Sequence, residues 1–360
     1  MEKNNTQSLG ILEKYLSVWV VLCMIVGVLI SKYVPAIPEF LGKLQYAQIS
    51  LPIAILIWVM VYPMMIKIDF ASVKNVGKHP KGLIVTWVAN WLIKPFTMYG
   101  IMAFFLYVLF KGIIPADLAK NYLAGAVLLG GAPCTAMVFV WSHLTKGDAA
   151  HTLVQVASND LILLVAYAPT MVFLLGTGGF SVPWDTLILS IVLFVVIPLV
   201  AGILTRIFMT KNKGKEYFEE KFVPKFNKLI FIGLLLMLVI IFSYQGHMII
   251  ENPIHILLLA IPMVLQSFFI FFVSYFAAKM LKLSHNIAAP AGLVGASNFF
   301  EFAVAVAIAL FGASSPVVLA VTVGVLVEVP VMLTMVKIAN KTTYWFPKET
   351  TSEKNEIILD

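Results

Sequence analysis

The chain has 360 residues, of which 61% are hydrophobic and 12% charged, and its mean hydropathy is +0.95. A soluble domain carries about 25% charged residues, so this chain cannot cover a water-facing surface, and a soluble globular enzyme is excluded. Its 26 Phe, 12 Tyr and 7 Trp exclude disorder, and its long continuous apolar runs argue against an outer-membrane β-barrel. An all-α polytopic membrane protein is therefore predicted.

The net charge of +7 has a simple explanation in such a protein. The basic residues stand between apolar runs, which is the pattern of the positive-inside rule. We therefore expect the partner to be the lipid bilayer and no nucleic acid to be bound.

Ten apolar stretches are long enough to cross a bilayer core about 30 Å thick, which needs roughly 20 residues per helix. They predict spans near residues 15–34, 46–66, 82–110, 121–145, 150–175, 185–208, 227–246, 253–280, 286–312 and 315–337. The first stretch has no small-residue cleavage site after it, so we expect no cleaved signal peptide. The longest connection, Thr210–Lys228, is predicted to be a solvated loop of mixed charge.

Lysine and arginine residues are distributed unequally between the two sides of this topology. With the N-terminus inside, the inner segments hold 20 of the 25 basic residues and the outer loops hold 4. This asymmetry predicts that both termini are cytoplasmic in a multi-pass protein of the cell membrane.

Two of the ten spans are interrupted near their middle. Gly130, Gly131 and Pro133 interrupt the fourth span, and the stretch Gly295–Asn298 interrupts the ninth. The two spans are five positions apart, so two five-span halves would have opposite topology. Paired interruptions of this kind indicate a transport site near the membrane midplane, although a simple packing kink is the alternative for either one.

Four ionisable residues fall in the interior of spans, away from their ends, where a charge is costly and asks for a reason. They are Lys94, Asp160, Glu301 and Glu328. Glu301 follows the ninth-span break, three residues after Asn298, so both would lie on one helical face. Lys94 has two structural alternatives, which are snorkelling towards the inner interface and pairing with Asp160 or a glutamate.

Cys134 directly follows Pro133 and is predicted to open the second half of the broken fourth helix. A helix N-terminus stabilises the thiolate, which is the nucleophilic and metal-binding form. The other cysteine, Cys23, is interpreted as a small buried hydrophobic residue. A lone thiol does not predict a closed zinc site.

Several motifs of other protein classes are absent from the sequence. A GxxxxGK[ST] phosphate loop is missing, as are HExxH, GxSxG and the potassium-pore motif TVGYG. These absences argue against assigning the chain to the ATP-driven pumps, the intramembrane hydrolases or the potassium channels. We therefore expect neither an enzyme nor a resident cofactor.

Several phrases of the sequence resemble one transporter family. They are GAPCTAMVFVWSHLTKG at Gly131–Gly147, TLVQVASNDLILLVAYAP at Thr152–Pro169, NWLIKPFTM at Asn90–Met98, GASNFFEFAVAVAIALFG at Gly295–Gly312 and VEVPVML at Val327–Leu333. The family is the arsenite efflux permeases of the bile acid, arsenite and riboflavin transporter superfamily, and the resemblance extends over nearly all ten spans.

The resemblance implies a fold of two inverted five-helix repeats. We assign them to residues 1–180 and 181–345, followed by a cytoplasmic tail at 346–360. It also implies a core domain with crossed broken helices 4 and 9 beside a panel domain. The activity implied is export of trivalent arsenic, with Cys134 and Glu301 as functional residues.

The chemistry of the residues agrees with that implication. Arsenite is uncharged at neutral pH and binds thiols, so Cys134 is predicted to ligate As(III), and antimonite is a second candidate substrate. Burial favours the protonated form of a carboxyl group, so Glu301 and Glu328 are predicted to carry the coupling protons. Hydrogen bonds to the substrate are assigned to Asn159, Ser297 and Asn298, and supporting roles to Asn90, Lys94, Pro133 and Asp160.

Two other functions stay open at this point. Sodium-coupled symport of an organic anion would need a cage of oxygen ligands from residues such as Glu301 and Asn298. A passive channel is the second alternative, although buried carboxyl groups at paired breaks favour an alternating site over a continuous pore.

Overall fold

The computed structural model describes residues 16–46, 49–67, 80–135 and 137–347, and these residues form an all-α polytopic membrane protein, as predicted. The exception is a short antiparallel hairpin of Gln45–Tyr46 with Ile49–Ser50. Of the predicted tail, only residues 346 and 347 lie within the described part of the chain.

The first half of the chain forms eight helices that follow the first five predicted spans. They are α1 (Leu16–Tyr33), α2 (Ala36–Lys43), α3 (Leu51–Lys67), α4 (Pro80–Trp87), α5 (Lys94–Phe104), α6 (Ala116–Gly130), α7 (Val138–Leu144) and α8 (Ala149–Thr177). A π-helical segment, Val88–Ile93, joins α4 to α5, and a second one, Phe105–Leu109, follows α5.

The second half of the chain follows the remaining five predicted spans. Its helices are α9 (Trp184–Ile191), α10 (Ile197–Lys213), α11 (Lys215–Tyr217), α12 (Lys225–Glu251), α13 (Pro253–Met280), α14 (His285–Ala296), α15 (Phe300–Phe311) and α16 (Pro316–Lys341). The π-helical segments Val192–Val196 and Phe218–Phe222 follow α9 and α11, and a 3₁₀ turn, Thr343–Trp345, follows α16.

Six of the described helical stretches are long and apolar enough to cross a bilayer, or seven if the bent pair α1 and α2 counts as one span. This number is lower than the ten predicted spans for a physical reason. The fourth and ninth predicted spans are each divided between two short helices, and α3 has 17 residues, which gives about 26 Å of helix. Each of the ten predicted stretches nevertheless contains helix.

The two broken helices meet at their breaks. Pro133 and Asn298 form an antiparallel β-bridge, and the Phe299 amide donates a hydrogen bond of 2.8 Å to the Ala132 carbonyl. Irregular backbone at membrane depth needs partners from within the protein. Each break provides such partners for the other, so the predicted pair of interruptions forms one crossing point.

The crossing lies inside the most buried part of the molecule. All residues of α14 from Ile287 to Ala296 are buried, and so are most residues of α16. Large apolar side chains such as Val165 and Leu204 are instead exposed on the outer helices, where lipid tails replace water.

The connection Thr210–Lys228 was predicted to be a solvated loop; most of its described residues are exposed, as predicted, but most of it is helical and not a loop. α10 continues to Lys213, and α11 with its π-helical extension follows it. Phe218 is buried beneath the Arg206 guanidinium at 5.1 Å, and Arg206 pairs with Glu219 at 3.5 Å. These contacts dock the connection against the end of α10.

Candidate functional site

Cys134 lies in the break between α6 and α7 and is buried, with 3% of its surface exposed. The sequence predicted that the helix resumes directly after Pro133. In the structure, α7 begins only at Val138, with Met137 at its N-cap position. Cys134 is therefore part of the non-helical crossing segment and not of a first helical turn. The prediction that a helix N-terminus stabilises the Cys134 thiolate is therefore not supported. What distinguishes Cys134 is its position at the crossing.

Glu301 and Glu328 approach the crossing from two different helices. Glu301 belongs to the first turn of α15, directly after the ninth-span break, and is 9% exposed. Glu328 lies near the middle of α16. A carboxylate in the first turn of a helix is favoured by the unpaired amides there, so α15 offers Glu301 a charge-stabilising position inside the protein.

The break between α14 and α15 binds the Glu328 carboxylate directly. The Ser297 hydroxyl donates a short hydrogen bond to Oε1 of Glu328. The backbone amide of Asn298 donates to the same oxygen at 3.1 Å. Two of the predicted substrate-binding residues are thus connected to a predicted proton carrier.

A cavity of about 30 Å³ brings the thiol and the two carboxyl groups together. Its polar lining consists of Cys134, Asn298, Glu301 and Glu328, and the remaining lining is formed by Val20, Met137, Trp141, Leu234, Phe300, Val325 and Val329. One water needs about 10–15 Å³ on this measure. The cavity therefore has room for two or three water-sized groups.

Lys94 is the first residue of α5, and its side chain reaches the break between α14 and α15. Its side chain is 2% exposed, and Nζ donates a hydrogen bond of 2.5 Å to the Ser297 carbonyl. Snorkelling to the interface is therefore wrong for Lys94, and its hydrogen bond goes to a backbone carbonyl and not to Asp160. The hydroxyl of the same Ser297 is bonded to Glu328, so a carboxyl group lies close to this ammonium.

Asn159 and Asn90 lie in a separate polar cluster between the π-helical segment Val88–Ile93 and α8. The side-chain oxygen of Asn159, Oδ1, accepts hydrogen bonds from the Asn90 side-chain amide at 3.3 Å and from the Trp91 indole at 3.0 Å. Its amide donates to the Gln155 carbonyl at 2.8 Å. The structure therefore does not bring Asn159 into the cavity with Cys134.

Asp160 follows Asn159 on α8 and is 1% exposed. Its Oδ2 atom has no hydrogen-bond partner among the residues that the structure describes. The structure thus leaves Asp160 outside both the cavity lining and the hydrogen bonds of Lys94.

The sequence did not single out the apolar residues that close the cavity. Met137 and Trp141 stand four residues apart at the start of α7, which is the spacing of one helical face, so this signal was available. Val20 of α1 and Leu234 of α12 come from distant parts of the chain, and no local pattern indicates them. No cluster of three or more metal-ligating side chains occurs in the described part of the chain.

Comparison with known proteins adds evidence from the whole chain. The model of the sodium bile acid symporter family matches residues 54–252. The chain is 60% identical to the arsenical-resistance protein Acr3 of Alkaliphilus metalliredigens, over 95% of this chain and 96% of that protein.

Two further relatives match over similar lengths. An uncharacterized transporter of Synechocystis is 44% identical over 95% of this chain and 92% of its own length. The arsenical-resistance protein Acr3 of Corynebacterium glutamicum is 33% identical over 92% of this chain and 91% of its own length. Similarity of this extent covers both breaks and the helices around them.

Proposed function

The chain belongs to the arsenite efflux permease family of the bile acid, arsenite and riboflavin transporter superfamily, and we propose that it exports arsenite in exchange for protons. The observation that carries this proposal is the small cavity where one thiol, Cys134, meets two carboxyl groups, Glu301 and Glu328. The names of two relatives, both arsenical-resistance proteins, support arsenic as the substrate element.

Cys134 is the proposed ligand of the substrate. Arsenous acid would react with the thiol to form one S–As bond, and the thiol proton and one hydroxyl group would leave as water. The reverse reaction would release the substrate. Soft thiolate ligands suit soft acceptors, and a single sulfur holds arsenic weakly enough for a transport cycle, whereas several thiolates would retain it.

The cavity size supports a small substrate. A cavity of about 30 Å³ is suited to a small substrate. Asn298 is the polar cavity residue available to bind a hydroxyl of arsenite, and antimonite, which has the same shape and charge, is a second candidate. Ser297 would act mainly through Glu328, to which its hydroxyl is already bonded.

Glu301 and Glu328 are the proposed proton carriers. A buried carboxyl group gains a proton more readily than one in solution. A proton entering from outside would neutralise the site, and its loss to the cytoplasm would restore the charge. Arsenite is uncharged, so movement of these protons would be the step that links export to the membrane potential and the pH gradient.

Export requires a defined orientation in the cell membrane. The excess of basic residues on one side, 20 against 4, supports cytoplasmic termini. Asn90 and Pro133 would support this cycle by holding the π-helical segment and the fourth-span break in place, through the hydrogen bond to Asn159 and the bridge to Asn298.

Arsenite uptake by everted membrane vesicles tests the proposal. With sodium absent and the vesicle interior acidified, we expect uptake that a protonophore abolishes. Vesicles from cells without the protein provide the control. Uptake that is absent under this gradient and appears only with sodium would contradict proton exchange.

Sodium-coupled symport of an organic anion is the second candidate, because the matching family model carries that description. The Cys134 thiol in the cavity lining argues against it, because an organic anion does not need a soft sulfur ligand. A bile-acid arm with sodium present, run on the same vesicles, distinguishes the two functions.

A further inference from the structure

Lys94 places a positive charge at the crossing of the broken helices, where it is sealed from water. Its side chain is 2% exposed, and it directly follows the π-helical segment Val88–Ile93, a type of distortion that occurs frequently at functional sites. The Gln266 amide donates to the Lys94 carbonyl at 3.1 Å and to the Thr97 hydroxyl at 2.9 Å. These contacts fix the first turn of α5 and hold Lys94 in place.

The ammonium lies at the C-terminal end of a half-helix. Lys94 Nζ donates to the Ser297 carbonyl, and Ser297 is the residue that caps α14. The Ser297 hydroxyl and the Asn298 amide in turn bind the Glu328 carboxylate. In transporters built from broken helices, unwound carbonyls and the C-terminal ends of half-helices coordinate sodium or protons. Lys94 therefore occupies a position with the ligand types of a cation site.

A buried ammonium is unfavourable unless negative groups surround it. The Glu328 carboxylate, which accepts a hydrogen bond from the hydroxyl of the same Ser297, is the negative group at this position. We propose that the Lys94 ammonium takes the place of a free coupling cation at the crossing, so that transport by this chain requires no sodium.

The proposal has a consequence for the transport cycle, and that part rests on the proposed function. A free cation enters and leaves the site in each cycle, whereas a covalently attached ammonium stays. Protons on Glu301 and Glu328 are then the charges that change during transport. Occupancy of the cation position by Lys94 does not depend on the identity of the substrate.

Thermal unfolding of the purified protein in detergent tests this occupancy without transport. The melting temperature is compared in sodium chloride and in choline chloride of equal ionic strength. We expect no sodium effect on the wild-type protein. Lys94→Ala removes the ammonium and leaves its space, so sodium should raise its melting temperature by about 2–4 °C in a saturable way.

Two matched variants separate a cation site from a general loss of charge. Lys94→Met removes the charge but fills the space with an apolar chain, so sodium should not stabilise it. Lys120→Ala removes a second lysine-to-carbonyl hydrogen bond, from Lys120 Nζ to the Gly179 carbonyl at 3.0 Å, at an exposed position away from the crossing. It should show no sodium response. Lys94→Ser repeats the test if Lys94→Ala does not fold.

Arsenite uptake by vesicles supplies the second arm of the experiment. Sodium should leave wild-type uptake unchanged and should restore part of the uptake lost in Lys94→Ala. A sodium-stabilised wild-type protein, or an equal sodium response in Lys94→Ala and Lys94→Met, would overturn the proposal. If the wild-type protein carries no arsenite at all, the proposed function fails, while the thermal experiment still decides the role of Lys94.

Discussion

At the scale of single residues, the Cys134 thiol is the group that we expect to bind arsenic. Cys134→Ser keeps the size of the side chain but replaces sulfur with oxygen, which is a poor ligand for a soft acceptor. We expect Cys134→Ser to weaken the binding free energy of arsenite by about 3 kcal/mol, which lowers its affinity at least about 100-fold. Arsenite uptake by everted vesicles at low substrate concentration should fall accordingly.

Cys23 provides the matched control for this substitution. It is the other buried thiol of the chain, on α1, and it is not among the residues that line the cavity. Cys23→Ser should keep wild-type uptake. Normal uptake by Cys134→Ser, with the protein inserted at wild-type levels, would contradict the thiol site.

Glu301 separates substrate binding from coupling. Glu301→Gln keeps the shape of the side chain but cannot titrate, so arsenite binding should stay within about threefold of wild type. Accumulation against a gradient should disappear, because no proton is exchanged. Glu301→Asp keeps a carboxyl group and should retain some pH-dependent uptake. Equilibrium binding and vesicle uptake, measured side by side, check these expectations.

Glu328→Gln is the comparison for Glu301→Gln. The amide can still accept the hydrogen bonds from Ser297 and Asn298, so a purely structural role for Glu328 predicts retained coupling. If this variant alone loses the dependence of uptake on pH, the main proton carrier is Glu328. If Glu301→Gln still accumulates arsenite, Glu301 is not the carrier.

At the scale of elements, the crossing depends on close packing between α6 and α16. An added Cβ at Gly125 of α6 would lie 2.2 Å from the Val317 carbonyl oxygen and 2.8 Å from the Ala320 Cβ atom. Small residues permit this approach of membrane helices. Gly125→Ala should therefore destabilise the protein by about 1–3 kcal/mol, measured as a lower melting temperature in detergent.

Gly100→Ala on α5 is the control, because an added Cβ there meets nothing within 4 Å. Alanine is favoured over glycine in a helix interior by up to about 1 kcal/mol, so this variant should be neutral or slightly stabilised. An equal loss of stability in both variants would show that the α6–α16 contact is not the cause.

The positions of the helices and breaks were predictable from the sequence, but their meeting was not. Glycine and proline at residues 130–133 indicate one interruption, and the stretch Gly295–Asn298 indicates the other. The bridge between Pro133 and Asn298 joins residues that are far apart in the chain. Hydropathy and local residue types carry no information about such a pairing, and the resemblance to a known family supplied it.

The candidate site shows the same division. Glu301 and Glu328 were predicted because charges inside spans are costly, Cys134 and Asn298 because they stand at the two breaks, and all four line one cavity. Asn159 belongs to a different cluster because its hydrogen bonds are made to Asn90 and Trp91. The partner of Lys94 was unpredictable, since a backbone carbonyl leaves no trace in the residue types.

At the scale of the whole molecule, the outer helices carry exposed apolar side chains and the polar groups converge inside. This arrangement buries Cys134 and Glu301 inside the protein and leaves Glu328 half-buried beside them. The two inverted repeats, residues 1–180 and 181–345, stay a prediction; a movement of the crossing relative to α1 and α12, which also line the cavity, would open it to either side.

Arsenite accumulation in proteoliposomes that contain only this purified protein tests proton-driven export most directly. With an acidic interior and no sodium, arsenite should rise inside the vesicles above its external concentration, and protons should leave in proportion. Reversing the pH gradient should reverse the direction of net transport. Arsenite that only equilibrates across the membrane, at a rate independent of the pH gradient, would contradict proton exchange and indicate a passive channel.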